Sequence, residues 1–453
     1  MLWSVLSNPF DKESFMDQRF FNFSHGNAHL LETDLDLDGS PEIISTSSSQ
    51  LYVSNLDSQN YFIENEDTFF SGNNDGFRTI ETQLDSNPAP DLVSTKINNS
   101  TAFPAIFLNP DPGTFGIQTT NNPISFDPMP ILKATGIEFD PEGACIAIAD
   151  LNGDNYIDIA MRGNASQIGR GITGQIITWL NDGNANFTLG TVFDVNITNS
   201  EPTNFISALD HDHDGDQDIV GIAGFRGSLE YLEVYENDGD GNFSLAQQTP
   251  LHTYNGLRPY WLEISDADAD GFIDAIVLGQ DRHNESELAI IYGSSTGLST
   301  TASFLAGIGA AEVINKDINA DGLPDLITCA YECDADRKPS LSIAYQISPR
   351  QYAPMIAISD LFLSALAYID MNNDGVRDIV TTQHDSGYNP IYYSVPQLCP
   401  ADLNLDRVLN FFDISLFLNM FTQERPLADL NRDGSFNFFD VSALFQSFQE
   451  GCP

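Results

Sequence analysis

Short apolar stretches alternate with acidic, glycine-bearing loops along most of the chain. "HLLET", "CIAIA", "FISAL", "YWLEIS", "AEVINK" and "ALAYI" each run into such a loop, and "IISTS", "IAMRG", "IVGIAG", "AIVLG", "LITCA" and "IVTTQ" leave it. These stretches are too short for helices and rich in β-branched residues, and turn residues bound them. They therefore predict strands joined in antiparallel pairs by the acidic loop. A third strand ends in a Gly/Asn/Asp turn, as in "IITWLNDGNANF" and "EVYENDGDGNF", and a fourth follows, as in "TLGTVFDV".

The loops are copies of one nine-residue pattern. "DLDLDGSPE" starts at 34, "DLNGDNYID" at 150, "DHDHDGDQD" at 210, "DADADGFID" at 266, "DINADGLPD" at 317 and "DMNNDGVRD" at 370; a decayed copy, "QLDSNPAPD", starts at 83. Successive starts lie 49, 67, 60, 56, 51 and 53 residues apart. Four strands in roughly 55 residues, repeated, predict an all-β fold, a seven-bladed β-propeller of four-stranded blades. The last copy runs through three strands, and "RFFNFS" at 19–24 is expected to supply the fourth and close the ring.

The D-x-[DN]-x-D-G-x-x-D loops followed by N-D-G-x-G-x-F-like turns resemble FG-GAP or VCBS repeats, over roughly residues 19–396. That resemblance implies an integrin-alpha-like propeller and says little about a ligand.

Like charges this close repel, so each loop needs a neutralising partner. Calcium takes six to eight oxygen ligands. Side chains at positions 1, 3, 5 and 9 and the carbonyl at position 7 offer them. The expected sets are Asp34, Asp36, Asp38, Ser40 and Glu42; Asp150, Asn152, Asp154, Tyr156 and Asp158; Asp210, Asp212, Asp214, Asp216 and Asp218. Three more follow: Asp266, Asp268, Asp270, Phe272 and Asp274; Asp317, Asn319, Asp321, Leu323 and Asp325; Asp370, Asn372, Asp374, Val376 and Asp378. Position 6 is the expected tight turn, as at Gly215. The 83–91 copy keeps only Asp85, Asn87 and Asp91 and is expected to hold no ion. His211 and His213 stand at even positions and are expected to point away from the cation, which argues against zinc. The plainer alternative is a set of solvated Asx turns.

A different pattern begins near residue 397. "DLNLDRVLNFFD" (402–413) and "DLNRDGSFNFFD" (429–440) fit twelve-residue EF-hand loops, and each leads into an amphipathic helix, "ISLFLNMF" and "VSALFQSF". The expected ligands are Asp402, Asn404, Asp406, Val408, Asn410 and Asp413, then Asp429, Asn431, Asp433, Ser435, Asn437 and Asp440. A duplicated loop and helix with Asp at position 12 resembles a dockerin, and the "CPADLN…GCP" frame is similar to bacterial GC-type dockerin-like anchors. The resemblance implies a small α-helical calcium-binding domain that docks to a cohesin-like or cell-envelope partner. Arg407 replaces the usual glycine of the first loop, and the Phe411–Phe412 and Phe438–Phe439 pairs stand where dockerins commonly carry small hydroxyl residues. A calcium-stapled cap without a partner is the alternative. The expected division is a leader at 1–18, the propeller at 19–396 and the dockerin-like domain at 397–453.

Charge then narrows the partners. Acidic residues number 65 against 18 basic in 453, for a net charge of −47. That excludes nucleic acid or an anionic membrane as a partner for the whole surface. No apolar run reaches the roughly 18 residues of a membrane span, and "MLWSVLSNPF" does not make a convincing signal peptide. Of the five cysteines, Cys399 and Cys452 frame the last domain and are expected to form a clasp, while Cys145 reads as a small buried hydrophobe. Cys329 and Cys333 pair only if the strand ends between them; on a continuous strand their Cα atoms would lie about 13 Å apart. Calcium loops of this affinity class and a disulfide both suit an extracellular or cell-surface setting.

The basic residues Arg78, Lys96, Lys133, Arg162, Arg170, Arg226, Arg258, Arg282, Arg337 and Lys338 are expected on the face opposite the acidic loops, with Tyr260, Trp261 and Tyr388 near its rim. An acidic glycan or a protein is the expected ligand there. A binding or adhesion module is thus the leading functional reading. An extracellular polysaccharide lyase or glycoside hydrolase is the alternative, although no convergent acid/base set stands out: His25, His29, His252, His283 and His384 are dispersed.

Overall fold

The structure is a computed structural model. It describes residues 29–35, 37, 39, 42–46, 51–56, 62–65, 79–98, 101–109, 124–125, 137–167, 172–195, 205–223, 230–251, 258–280, 286–306, 312–319, 322–329, 341–359, 363–370, 377–383, 391–392, 401, 409–422, 428, 430 and 436–450. The chain divides into two compact units. One comprises Arg19–Ile369 and Val380–Ile391, the other Met1–Gln18, Asp370–Ile379 and Tyr392–Pro453.

The strands form successive antiparallel sheets. The first holds β1 (His29–Thr33), β2 (Glu42–Thr46), β3 (Leu51–Leu56) and β4 (Phe62–Asn65); the second β5 (Thr79–Thr82), β6 (Asp91–Asn98), β7 (Thr101–Phe107) and β8 (Ile124–Ser125). The third holds β9 (Ile137–Ala149), β10 (Asp158–Gln167), β11 (Ile172–Asn181) and β12 (Phe187–Val195); the fourth β13 (Ile206–Leu209), β14 (Asp218–Ala223), β15 (Tyr231–Asn237) and β16 (Phe243–Pro250). The fifth holds β17 (Arg258–Ser265), β18 (Asp274–Gln280), β19 (Ser286–Ile291) and β20 (Ser303–Ala306). In the sixth, β21 (Glu312–Lys316), β22 (Asp325–Cys329) and β23 (Leu341–Ala344) are followed by a separate hairpin, β24 (Gln346–Ser348) and β25 (Gln351–Tyr352), before β26 (Ile356–Ser359) completes the sheet. The last sheet is three-stranded: β27 (Leu363–Ile369), β28 (Asp378–Gln383) and β29 (Ile391–Tyr392).

The first strands of most neighbouring sheets lie side by side, β1 with β5, β9 with β13, β13 with β17, β17 with β21 and β21 with β27, and β27 returns to β1, which is a propeller arrangement. Seven uniform four-stranded blades are not what the described residues contain. Five sheets are complete four-stranded blades with an acidic loop of the repeat; the second is built round the decayed copy, and the last has three strands. The expected closing strand at 19–24 lies outside the described residues.

Burial follows position in the sheet. Every residue of β14, "DIVGIA", is buried, because adjoining sheets cover both of its faces. The outer strand β16, "FSLAQQTP", is mostly exposed. The core is a series of interfaces between consecutive sheets. Val93 and Ile106 of the second pack with Ile159, Met161 and Ile177 of the third. Val220 and Leu232 of the fourth pack with Leu262, Val277 and Ala289 of the fifth. Near the start of the inner strands, Trp261 packs on Phe205 and His29, with ring centroids 5.6 and 5.9 Å away. Trp261 is therefore buried in the core and not a rim aromatic.

The other unit contains α1 (Phe411–Phe421) and α2 (Phe438–Glu450). Phe417 and Leu444 bury against Ala401 and Ala428, with Phe421, Phe436, Val441 and Phe448 around them. Both helices begin three residues earlier than their amphipathic pattern predicts, because each starts inside the acidic loop. Asn410 Oδ1 accepts Phe412 N at 2.7 Å and Asp413 Oδ2 accepts Asn410 N at 2.9 Å. Asn437 and Asp440 repeat both bonds at 2.8 and 2.9 Å. Positions 9 and 12 thus form a reciprocal helix cap. No helix among the described residues is long and apolar enough to cross a membrane.

Candidate metal centres

Each acidic loop joins the first two strands of its sheet, and its shape follows from where its carboxylates find backbone donors. Position 9 is the first residue of the second strand and is buried. One of its oxygens accepts the N–H of position 2: Glu42 from Leu35 at 2.7 Å, Asp158 from Leu151 at 3.0 Å, Asp218 from His211 at 2.8 Å, Asp274 from Ala267 at 2.6 Å and Asp325 from Ile318 at 3.0 Å. The other oxygen of the aspartates reaches the residue ending the third strand or just beyond it: Asn181 N, Asn237 N and Gln346 N at 2.8 Å, and Gly293 N at 2.5 Å. The carboxylate staples the loop closed and ties it to the sheet. Burial raises its pKa to about 6 at Asp91, Asp158 and Asp218 and to about 7 at Asp274.

Position 1 turns inward and accepts the N–H of position 6: Asp34 from Gly39 at 3.0 Å, Asp150 from Asn155 at 2.7 Å, Asp210 from Gly215 at 3.2 Å, Asp266 from Gly271 at 2.9 Å and Asp317 from Gly322 at 2.9 Å. Position 6 is left-handed in all five, from φ 67° at Asn155 to 102° at Gly215. Position 4 is left-handed as well, at Leu37, Gly153, His213 and Ala269. Nothing in the sequence signals this, because three of those four residues ordinarily avoid positive φ. Positions 3 and 5 each spend one oxygen within the loop. Asp212 accepts Asp214 N at 3.3 Å and Asp214 accepts Asp216 N at 3.0 Å; Asp268 accepts Asp270 N at 3.2 Å and Asp270 accepts Phe272 N at 3.0 Å. The second oxygen remains for another partner.

Two carboxylate sets converge among the described residues. Ligand oxygens of Asp210, Asp212 and Asp218 lie within 4.8 Å of one another, and so do those of Asp266, Asp268 and Asp274. All are hard oxygen donors, the set that suits calcium or magnesium and not zinc. Asp210 Oδ1 is buried and has no hydrogen-bond partner among the described residues. A bare, buried carboxylate oxygen beside two further carboxylates is costly unless a cation sits against it. The residues of the 210–218 loop therefore fit a hard divalent cation.

The histidines face elsewhere. His211 Nδ1 accepts Leu298 N at 3.2 Å, which puts the ring proton on Nε2, and burial lowers its pKa. His213 Nε2 lies 3.0 Å from Ser294 O, and its ring is 5.2 Å from that of Phe272.

The loops are also tied to the next sheet, through residues that the sequence pattern marks only as turns. A side-chain amide at or just after the end of a third strand donates to the position-2 carbonyl of the preceding loop. Asn109 reaches Leu35 O at 2.6 Å, Asn181 Leu84 O at 2.9 Å, Asn237 Leu151 O at 2.9 Å and Gln346 Ala267 O at 2.6 Å. The decayed loop is closed by its own side chain: Gln83 Nε2 points inward and donates to the carbonyls of Asp85, Asn87 and Ala89.

Other expected ligands lie outside the described residues: Asp36, Asp38, Ser40, Asp321, Asn372, Asp374, Val376, Asp402, Asn404, Asp406, Val408, Asp429, Asn431, Asp433 and Ser435. So do Cys333, Cys399 and Cys452. Cys329 ends β22 as a free, buried thiol, and burial pushes its pKa up. Of the basic residues expected on the opposite face, Arg162 is buried and donates from Nη1 to Ile222 O, so it binds its neighbouring sheet and not a ligand. The side chains of the other nine, and those of Tyr260 and Tyr388, lie outside the described residues.

A comparison with curated proteins finds no match. Among solved structures, a lectin from Agrocybe aegerita that recognises non-reducing terminal N-acetylglucosamine aligns over 80% of this chain and 86% of its own, at 14% identity and a TM-score of 0.44. The Aleuria aurantia lectin with α-methyl-L-fucoside aligns over 83% and 95%, at 10% identity and a TM-score of 0.42. Likeness at that distance carries no argument about a ligand. Residues 210–277, which hold two consecutive acidic loops and the strands between them, match the family model of the FG-GAP-like repeat.

Proposed function

We propose that this chain is an extracellular or cell-surface binding module, a propeller whose acidic loops hold calcium and whose C-terminal unit serves as its anchor. The observation that carries the calcium reading is the buried, unpartnered Oδ1 of Asp210 beside Asp212 and Asp218. Calcium titration of the purified chain by calorimetry tests it. Binding at about 10⁻⁴–10⁻³ M or tighter is expected, with one site lost in Asp212→Ala. No heat of binding at about 10⁻² M calcium, well above that range, overturns it.

The ligand reading is an acidic glycan held on the face away from the acidic loops. It rests on the basic residues that the sequence pattern leads one to expect there, Arg282 and Arg337 foremost. Retention on an immobilised acidic polysaccharide should weaken with salt and disappear in the Arg282→Glu, Arg337→Glu double variant; equal retention overturns it. The anchor reading, a dockerin-like unit facing a cohesin-like or cell-envelope partner, draws support from Phe411, Phe412, Phe438 and Phe439. These stand at the start of both helices and are 66–75% exposed. Such a repeated apolar surface is costly to leave in water and suits a docking face.

A further inference from the structure

The loop at 266–274 differs from the loop before it in two respects: Asp266 Oδ1 accepts Asp270 N at 3.1 Å, where Asp210 Oδ1 has no hydrogen-bond partner among the described residues, and an arginine enters the loop. Arg350, at the tip of the β24–β25 hairpin in the next sheet, reaches into it. Its Nη2 donates to Asp270 Oδ2 at 3.0 Å and its Nε to Asp268 Oδ2. These are the oxygens that the backbone leaves spare at positions 3 and 5, since Oδ1 of each already accepts a loop N–H. In the 210–218 loop the corresponding residues, Asp212 and Asp214, pair with no lysine or arginine among the described residues.

Arg350 is held for this role. It sits at φ 65°, its N–H donates to Gln346 Oε1 at 3.1 Å, and its guanidinium lies 4.4 Å from the ring centroid of Tyr292. The hairpin is itself pinned to the loop, because Gln346 Nε2 and Tyr352 OH both donate to Ala267 O, at 2.6 and 3.2 Å. Asp268 is buried, so its charge needs a partner in any state of the loop. The planar guanidinium supplies that partner with two charge-assisted bonds.

We propose that Arg350 is a built-in counter-ion of the 266–274 loop: it keeps the loop folded without metal and must swing out before calcium enters. The inference rests on the calcium reading above and adds a rank order. The 266–274 site is weaker than the 210–218 site, and filling it frees the Arg350 side chain. Gln83, turned into the decayed loop, is the neutral counterpart of the same device.

Calcium calorimetry and thermal melts of the full chain, as wild type, Arg350→Met and Arg350→Lys, test this. Methionine keeps an unbranched stem against Tyr292 and removes the charge. Arg350→Met should tighten one site by at least about tenfold, the equivalent of one charge-assisted bond, and leave the other sites unchanged. It should melt below wild type in chelator and no lower than wild type in saturating calcium. Arg350→Lys, which keeps a charge without the fork, should fall between the two. Superimposable isotherms with binding intact, or a site weakened by Arg350→Met, overturn this inference alone. A protein that binds no calcium in any form overturns the calcium reading and this inference with it.

Discussion

Replacing Asp218 by alanine separates the two jobs that the acidic loops perform. The side chain is 1% exposed, and its two oxygens accept the N–H groups of His211 and Asn237, each at 2.8 Å. Alanine leaves both donors buried without an acceptor. At about 1–3 kcal/mol for each stranded group, the loss is about 2–6 kcal/mol, a large share of the roughly 5–15 kcal/mol that holds a typical domain. Asp214, at position 5 of the same loop, accepts one exposed N–H at 3.0 Å, so Asp214→Ala should cost about 1 kcal/mol or less without metal. Urea melts of both variants in chelator and in millimolar calcium make the comparison. In chelator, Asp218→Ala should be far less stable than Asp214→Ala. Calcium should stabilise wild type more than Asp214→Ala, which has lost a ligand. Equal stability of Asp218→Ala and wild type in chelator refutes the claim that position 9 staples the loop.

Three further outcomes follow from the same geometry. Burial raises the pKa of Asp91, Asp158, Asp218 and Asp274 above the unfolded value, so the folded state binds protons more tightly. In chelator their contribution to stability should therefore be largest near pH 4 and fall as pH rises through about 6 to 7; a melting temperature that climbs steadily across that window contradicts the assignment. Gly215 sits at φ 102°, and the space where a Cβ would stand is open to 4 Å, so Gly215→Ala should cost about 1–2 kcal/mol from backbone strain alone, read by urea melts. Asn410→Ala and Asn437→Ala each remove a helix cap and should cost the C-terminal unit about 1 kcal/mol, seen as an earlier loss of helical circular dichroism.

The strands and loops are legible in the sequence because both carry a local signal. Short β-branched runs bounded by turn residues mark strands, and seven copies of one loop mark a repeat. What the sequence hides is mostly relational. Asn181 and Asn237 read as turn residues, yet their amides bind the loop of the preceding sheet, 97 and 86 residues away. Arg350 meets Asp268 across 82 positions, and no local pattern couples them. A coarse strand count assigns Arg162 to a binding face, but its place on β10 lets its Nη1 donate to Ile222 O. Position 9 reads in sequence only as a metal ligand, because a carboxylate that staples a loop and one that holds an ion look alike there. The extra β24–β25 hairpin interrupts the four-strand rhythm of the sixth sheet, and it is this interruption that carries Arg350.

Scanning calorimetry of the full chain in chelator and in calcium at about 100 times the dissociation constant found by titration is the most direct test of calcium as the partner of the acidic loops. A site filled at about 100 times its dissociation constant contributes about 2.7 kcal/mol, so the two converging carboxylate sets alone should raise the melting temperature by at least about 5 °C. Magnesium should rescue poorly, because it demands a tighter octahedral shell. Identical melting temperatures in chelator and calcium would contradict the account.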